Sequence, residues 1–163
     1  MAMRKLFTAL MLIVSMGVTG SLCAQDYEKG LKAYNAQDYA TALKEWRFLA
    51  ERGNARAQYV LGHMYINGEG VIQNDKEAAT WFRKAAEQGH EGAQFSIGSM
   101  YAHGRGVVQN NVYAHIWYNI AASNGHKDSS KFRDEIAAKM TAADISRAQE
   151  LARECEKKQY KSC

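Results

Sequence analysis

Three groups of residues in this chain have the types and spacing to do chemistry. The first is a pair of Gly-x-Gly loops, "GEGVIQND" at 68–75 and "GRGVVQNN" at 104–111. Backbone N–H groups of such a loop can cradle a phosphate, but that use needs a preceding strand and, in the P-loop form, a closing Gly-Lys-Ser/Thr. Neither loop carries the Lys or the Ser/Thr, so the glycines are expected to turn the chain, with Val71 and Val107 tucked inward. The second group is the five histidines, His63, His90, His103, His115 and His126. They show no zinc spacing, and "HEGAQ" lacks the second histidine of the zinc-protease motif. The third is Cys155 and Cys163 in "ECEKKQYKSC". No Ser-x-x-Lys or Gly-x-Ser-x-Gly nucleophile pattern occurs. The residues thus point to no catalytic constellation, no metal and no cofactor.

The elements that position these residues are set by an internal period. "GEGVIQND" recurs as "GRGVVQNN" thirty-six positions later, and the same step relates many other residues. Gly53, Gly89 and Gly125 form one series, and Ala42, Ala78 and Ala114 another. Trp46, Phe82 and Tyr118 form a third, while Gln58 pairs with Gln94, Gly62 with Gly98 and Tyr65 with Tyr101. Each unit reads as two helices. The first covers 54–65 and, one step on, 90–101; the second covers 75–88 and 111–124. Asn74 and Asn110 are N-cap residues, Asn74 with Glu77 has capping-box spacing, and Gly89 and Gly125 end the second helices. With no proline among 163 residues, the composition favours helix throughout.

The unit at 26–53 is shorter. Gly30 to Ala42 is twelve residues, whereas Gly62 to Ala78 and Gly98 to Ala114 are each sixteen. After Gly125 the pattern fades: Ser129 and Ser130 replace the Ala-Gln pair in the stretch 126–140. A last helix starts at Thr141, with Asp144 three residues on, and its stripe of Ile145, Ala148, Leu151, Ala152 and Cys155 suits a terminal cap.

The pattern A-x-A-Q-x-x-L/I-G-x-M-Y-x-x-G-x-G-V, then A-x-x-W-[FY]-x-x-A-A-x-x-G, resembles the Sel-one-like repeats, relatives of the tetratricopeptide repeats. Two units carry it over 54–125, after a tetratricopeptide-like unit at 26–53 and before capping helices at 126–163. The resemblance implies an all-α fold, a right-handed α/α solenoid of helix pairs whose first helices line a concave surface. It also implies a non-catalytic scaffold or adaptor for a protein or peptide partner. A cysteine-rich secreted branch of the family is associated with penicillin binding and β-lactamase activity, with a cysteine pair eight positions apart in every repeat. This chain has that spacing only at Cys155 and Cys163. A β-lactam-handling enzyme is therefore one alternative, and a secreted effector acting on another cell is a second.

The aromatics Trp46, Trp81, Phe82, Trp117 and Tyr118 recur on second helices and are expected in the core between repeats. On the first helices, positions that do not repeat are expected to face the groove. These are Val60, His63 and Asn67 in one unit and Ser96, Ser99 and His103 in the next, with Lys32 and Asn35 extending the set. They are the candidate binding residues. His90 and His126 share one slot after the helix-ending glycine and belong to the repeat itself.

The first 24 residues differ from the rest. Arg4 and Lys5 precede an apolar run, Leu6 to Val18, followed by Gly20, Ser21 and Ala24. That order matches a secretory signal peptide cut after Ala24, and the run is shorter than the roughly 20 residues of a membrane span. A lipid-anchored Cys23 and a buried N-terminal helix are the alternatives. Export, periplasmic or extracellular, makes a Cys155–Cys163 disulfide the expected pairing, against two free thiols or a bond to another chain. A continuous helix would hold the two Cα atoms about 12 Å apart at 1.5 Å per residue, so the tail must fold back. The formal charge is +4, falling to +2 without Arg4 and Lys5, and acidic and basic residues alternate. Nothing in that pattern suggests a nucleic-acid partner.

Overall fold

The computed structural model describes residues 27–161 and 163, and every regular element within them is a helix. Residues 27–35 form α1. It is followed by α2 (Tyr39–Glu51), α3 (Ala55–Asn67), α4 (Asp75–Ala86), α5 (Glu91–His103), α6 (Asn111–Ser123), α7 (Ser129–Ala137) and α8 (Ala142–Lys157). The expected leader at 1–24, with Cys23, lies outside the described residues. Helix α3 packs on both α2 and α4, and α5 on both α4 and α6. This alternation of first (A) and second (B) helices is the all-α solenoid that the period implies.

Glycine and aromatic residues key the A helices to the B helices. Gly30, Gly62 and Gly98 lie against the rings of Trp46, Phe82 and Tyr118, each ring 1% exposed. A Cβ at Gly30 would come within 2.5 Å of Trp46, one at Gly98 within 3.0 Å of Tyr118, and one at Gly62 would overlap the Phe82 ring. A second device is polar. The side-chain amides of Gln58 and Gln94 are buried and donate to the carbonyls of Ala50 and Ala86, at 2.9 and 3.2 Å. Their Oε1 atoms accept from Gln88 and Asn124, at 2.7 and 2.9 Å, so each glutamine ties three helix ends together. Tyr65 and Tyr101 complete the repeat, their hydroxyls accepting from Arg47 and Arg83 on the neighbouring B helices.

The helix ends differ from the expectation by a turn or less. Helices α3 and α5 run on to Asn67 and His103, because the first glycine of each loop stops them in the left-handed conformation: φ is 73° at Gly68 and 67° at Gly104. Helices α4 and α6 stop earlier, at Ala86 and Ser123, and close through paired bonds past the glycine. Gly89 N–H donates to Ala86 and His90 N–H to Ala85; Gly125 and His126 repeat the pair on Ala122 and Ala121. The capping box at Asn74 is half formed. Asn74 accepts from the N–H groups of Lys76 and Glu77, but its own N–H goes to the Tyr65 carbonyl instead of the Glu77 side chain.

The Gly-x-Gly loops are turns, as their composition suggests. The second glycine of each loop has positive φ, 72° at Gly70 and 67° at Gly106, and sits on the first residue of the preceding B helix. A Cβ at Gly70 would meet the Tyr39 carbonyl oxygen at 2.7 Å, and one at Gly106 would clash with the carbonyl of Asp75. Arg105 fastens the second loop through two bonds to the Asp75 carboxylate, at 3.0 and 3.2 Å.

At the C-terminus, α7 shrinks to nine residues and α8 lies against α6. Ala148, Ala152 and Cys155 are buried and join the core of Ile116, Trp117 and Ile120. Beyond Lys157 the chain reverses through Gln159 and Tyr160, with φ 52° and 65°, and Cys163 returns to Cys155. Their Cα atoms are 5.6 Å apart and the sulfurs are joined. The turn also carries Tyr160, whose hydroxyl donates to Asn124 Oδ1 at 3.0 Å.

Candidate functional site

Each of the two A helices presents one stripe of exposed or half-buried positions. On α3 it runs through Arg56, Val60, His63 and Asn67, and on α5 through Gly92, Ser96, Ser99 and His103. Steps of three and four residues place each quartet on one helix face. All six candidate residues fall on these stripes. Arg56 and Gly92 escaped the sequence reading, although both stand four residues before a candidate and thirty-six apart. Lys32 and Asn35, on α1, are exposed.

The six do not share one environment. Asn67 and His103 are exposed, while Val60, His63, Ser96 and Ser99 are half-buried. His63 turns partly inward. Its ring meets Tyr59 and Phe82 edge to face, at 4.7 and 5.0 Å between centroids, and its Nε2 is shielded without a hydrogen-bond partner. Burial lowers its pKa, nearby Glu69 opposing and His90 adding to the shift, so the imidazole is neutral at pH 7. One step on, the partner of Ser99 is Tyr118 rather than Phe82. Burial raises the Tyr118 pKa, and the neighbouring Ser99 hydroxyl pulls it down. The change from His63 to Ser99 therefore follows the change from Phe82 to Tyr118: a phenyl ring takes an aromatic edge, a buried phenol needs a polar neighbour.

Ser99 and His103 also form the one serine–histidine pair on the stripe, with Oγ 3.5 Å from Nδ1. The same Nδ1 lies 2.8 Å from the Ser99 carbonyl oxygen. A carbonyl only accepts, so Nδ1 carries the proton and cannot act as a base toward that hydroxyl. Ser96 is likewise turned back onto its own helix, donating to the Gly92 carbonyl at 2.9 Å. Arg56 is the single formal charge on the two stripes, and its guanidinium lies 4.1 Å above the Tyr27 ring. The face can offer shape, hydrogen bonds and aromatic edges, which suits recognition rather than bond breaking.

The five aromatic residues expected in the core are buried, Trp81 the least at 9% exposed. His90 and His126 stack on Tyr59 and Phe95 at the A-helix N-termini, with centroids 4.5 and 4.4 Å apart. Among the described residues no group of three His, Cys, Asp or Glu is placed to hold a metal ion. No helix among them is long and apolar enough to cross a membrane. Ile72 and Val108, one period apart at the tips of the Gly-x-Gly loops, stand 92% and 88% exposed.

Comparison with known proteins matches two segments, residues 55–90 and 92–126, to the Sel1 repeat family. Among curated proteins, two named exopolysaccharide production negative regulator are similar over 52 residues. They come from Rhizobium leguminosarum bv. viciae (36% identical) and Rhizobium meliloti (35%). That stretch is 32% of this chain, and it spans 20% and 19% of the two relatives. Among solved structures, c5321, a protective antigen of uropathogenic Escherichia coli strains displaying an SLR fold, aligns with a TM-score of 0.78 and 28% identity. The alignment covers 85% of this chain and 31% of that one. A Sel1 repeat protein from Oxalobacter formigenes aligns with a TM-score of 0.65 and 33% identity, over 69% of this chain and 46% of its own.

Proposed function

Because the chain is a Sel1-like repeat protein, we propose that it is an exported, non-catalytic scaffold that holds a protein or peptide along its A-helix face. Repeats of this kind mediate protein–protein contacts. The observation that carries the reading is the pair of aligned stripes on α3 and α5. They give eight positions in register, every one of them exposed or half-buried. One arginine among eight positions offers little to a nucleic acid, whose binding rests on several phosphate contacts. A mixed surface of Val60, Ser96, Asn67 and histidine suits the amide groups and apolar side chains of a peptide. The regulator name of the rhizobial relatives is in keeping with a protein that acts by binding. Export rests on the leader-like order of residues 1–24.

The test compares two charge-insertion variants in affinity purification from the source cells. Val60→Glu with Ser96→Glu alters the A face; Thr80→Glu with Lys84→Glu alters exposed positions of α4 on the B face. With melting temperatures matched, the first is expected to lose a partner that the wild type and the second variant retain. Equal retention by both variants would end this reading.

A further inference from the structure

His90 sits at the junction of the two Sel1 repeats, directly after Gly89 and directly before α5. It is the N-cap of that helix: its Nδ1 accepts the Ala93 N–H at 3.3 Å, a donor it shares with its own carbonyl oxygen at 3.0 Å. That geometry demands a bare lone pair on Nδ1 and hence the Nε2–H tautomer. The ring lies nearly flat on Tyr59, with planes 24° apart. From α3, Arg56 and His63 are the charged or titratable groups facing this cluster together with the Tyr59 phenol; α5 contributes Glu91, and α4 the uncharged Phe82 ring behind Tyr59.

The same slot is filled differently at the other two junctions. In the preceding unit Asn54 caps α3, its side-chain oxygen accepting the Ala57 N–H at 2.9 Å. A carboxamide does not titrate. In the following unit His126 stacks on Phe95 with planes 11° apart, but its Nδ1 faces the Ser129 hydroxyl at 2.9 Å. A hydroxyl can donate or accept, so that contact survives protonation of the ring. Of the three junctions, one alone depends on a neutral imidazole.

We propose that His90 is an acid-responsive cap that couples pH to the order of the α4–α5 junction. A proton on Nδ1 turns the acceptor into a donor that faces another donor, the Ala93 N–H. It also places a positive charge at the positive end of the α5 dipole, beside Arg56. Burial lowers the His90 pKa, Glu91 and a hydrogen bond to the residue's own backbone oppose the shift, and Arg56 adds to it. The folded-state value lies below the unfolded one, so the cap is intact above the ordinary histidine pKa of about 6.5 and fails as pH falls through the lowered value. This device does not depend on the partner-binding reading.

The experiment is amide hydrogen exchange by NMR on the full chain between pH 7.5 and 5, corrected for intrinsic rates. In the wild type, exchange at Ala93 and Gln94 is expected to rise about fivefold or more relative to Ala57 and Gln58, the scale of a lost N-cap. His90→Asn copies the Asn54 cap and is expected to abolish that rise, while His126→Asn is expected to leave it intact. A wild-type response that persists in His90→Asn, or no rise at Ala93 beyond that at Ala57, overturns the proposal. If His90→Asn does not fold, the ring nitrogen shifts of the wild type decide: a bare Nδ1 at pH 7.5 supports the cap, and an Nδ1–H tautomer refutes it.

Discussion

Gly62 on α3 lies face to face with the ring of Phe82 on α4, and a single added carbon between them would overlap the ring. Two effects compete in Gly62→Ala. Alanine in a helix interior is worth roughly 1 kcal/mol over glycine, whereas overpacking a well-filled core costs about 1–3 kcal/mol. Phe82 is 1% exposed and cannot swing away, so packing is expected to win. Urea unfolding should show Gly62→Ala less stable than wild type. Gly98→Ala, with 3.0 Å to Tyr118, should lose less. An equal or reversed order would mean that the rings are looser than their burial implies.

Gln94 is fully buried and holds the Ala86 carbonyl on one side and the Asn124 amide on the other. Gln94→Leu fills the space but leaves the buried Ala86 carbonyl unpaired, a loss of about 1–3 kcal/mol, while the exposed Asn124 amide turns to water. A double-mutant cycle with Asn124→Ala should give a positive coupling energy. Simple additivity would show that the bond seen between the two amides contributes nothing.

Much of this architecture is legible in the residues alone, because a repeat prints its packing rules more than once. The recurrence of Gly62 at Gly98 and the aromatic series Trp46, Phe82, Tyr118 are plain in the period, although the period does not say that each ring lies on a glycine. The glycine-ended B helices and the turn role of the Gly-x-Gly loops follow in the same way. The helix ends were harder, since the expected first helices stop at Tyr65 and Tyr101, three residues before Gly68 and Gly104 close them. The groove was only partly readable. A position that fails to repeat can do so because it faces outward, as Asn67 and His103 do, or because its partner in the core has changed. His63 and Ser99 belong partly to the second kind, and sequence spacing does not separate the two causes. Arg56 and Gly92 were lost for the converse reason: they lie on the stripe but carry no signal beyond their place in the period.

Acid should destabilise the fold through three histidines. His63, His90 and His115 all have pKa values lowered first by burial, and His115, 2% exposed, also feels Arg133 across the α6–α7 contact while Asp134 opposes. Each is neutral in the folded chain and binds its proton more readily once unfolded. Stability is therefore complete above about pH 6.5 and declines below it as the unfolded state takes up protons first. Urea midpoints measured from pH 7.5 to pH 5 should fall steadily with an unchanged slope. A flat profile would show that these rings are hydrated in both states.

The C-terminal turn should depend on its covalent tie. Cys155–Cys163 closes an eight-residue step and holds Tyr160 over Gly89 and against Asn124. Cys163→Ser is expected to cost about 2–3 kcal/mol by the loop-closure estimate. The Tyr160 ring resonances should move toward free tyrosine while those of Trp117 stay in place. Loss of the whole folded spectrum would mean that α8 is essential to the stack rather than a cap upon it.

The central claim, a partner held along the A helices, is tested most directly by a photo-crosslinking amino acid placed at single positions in living cells. Asn67 and His103 report on the A face, and Thr80 and Lys84 on the exposed side of α4. The account predicts one shared crosslinked partner from Asn67 and His103 and none from Thr80 or Lys84. The same partner captured from Thr80 and Lys84 alone would contradict it.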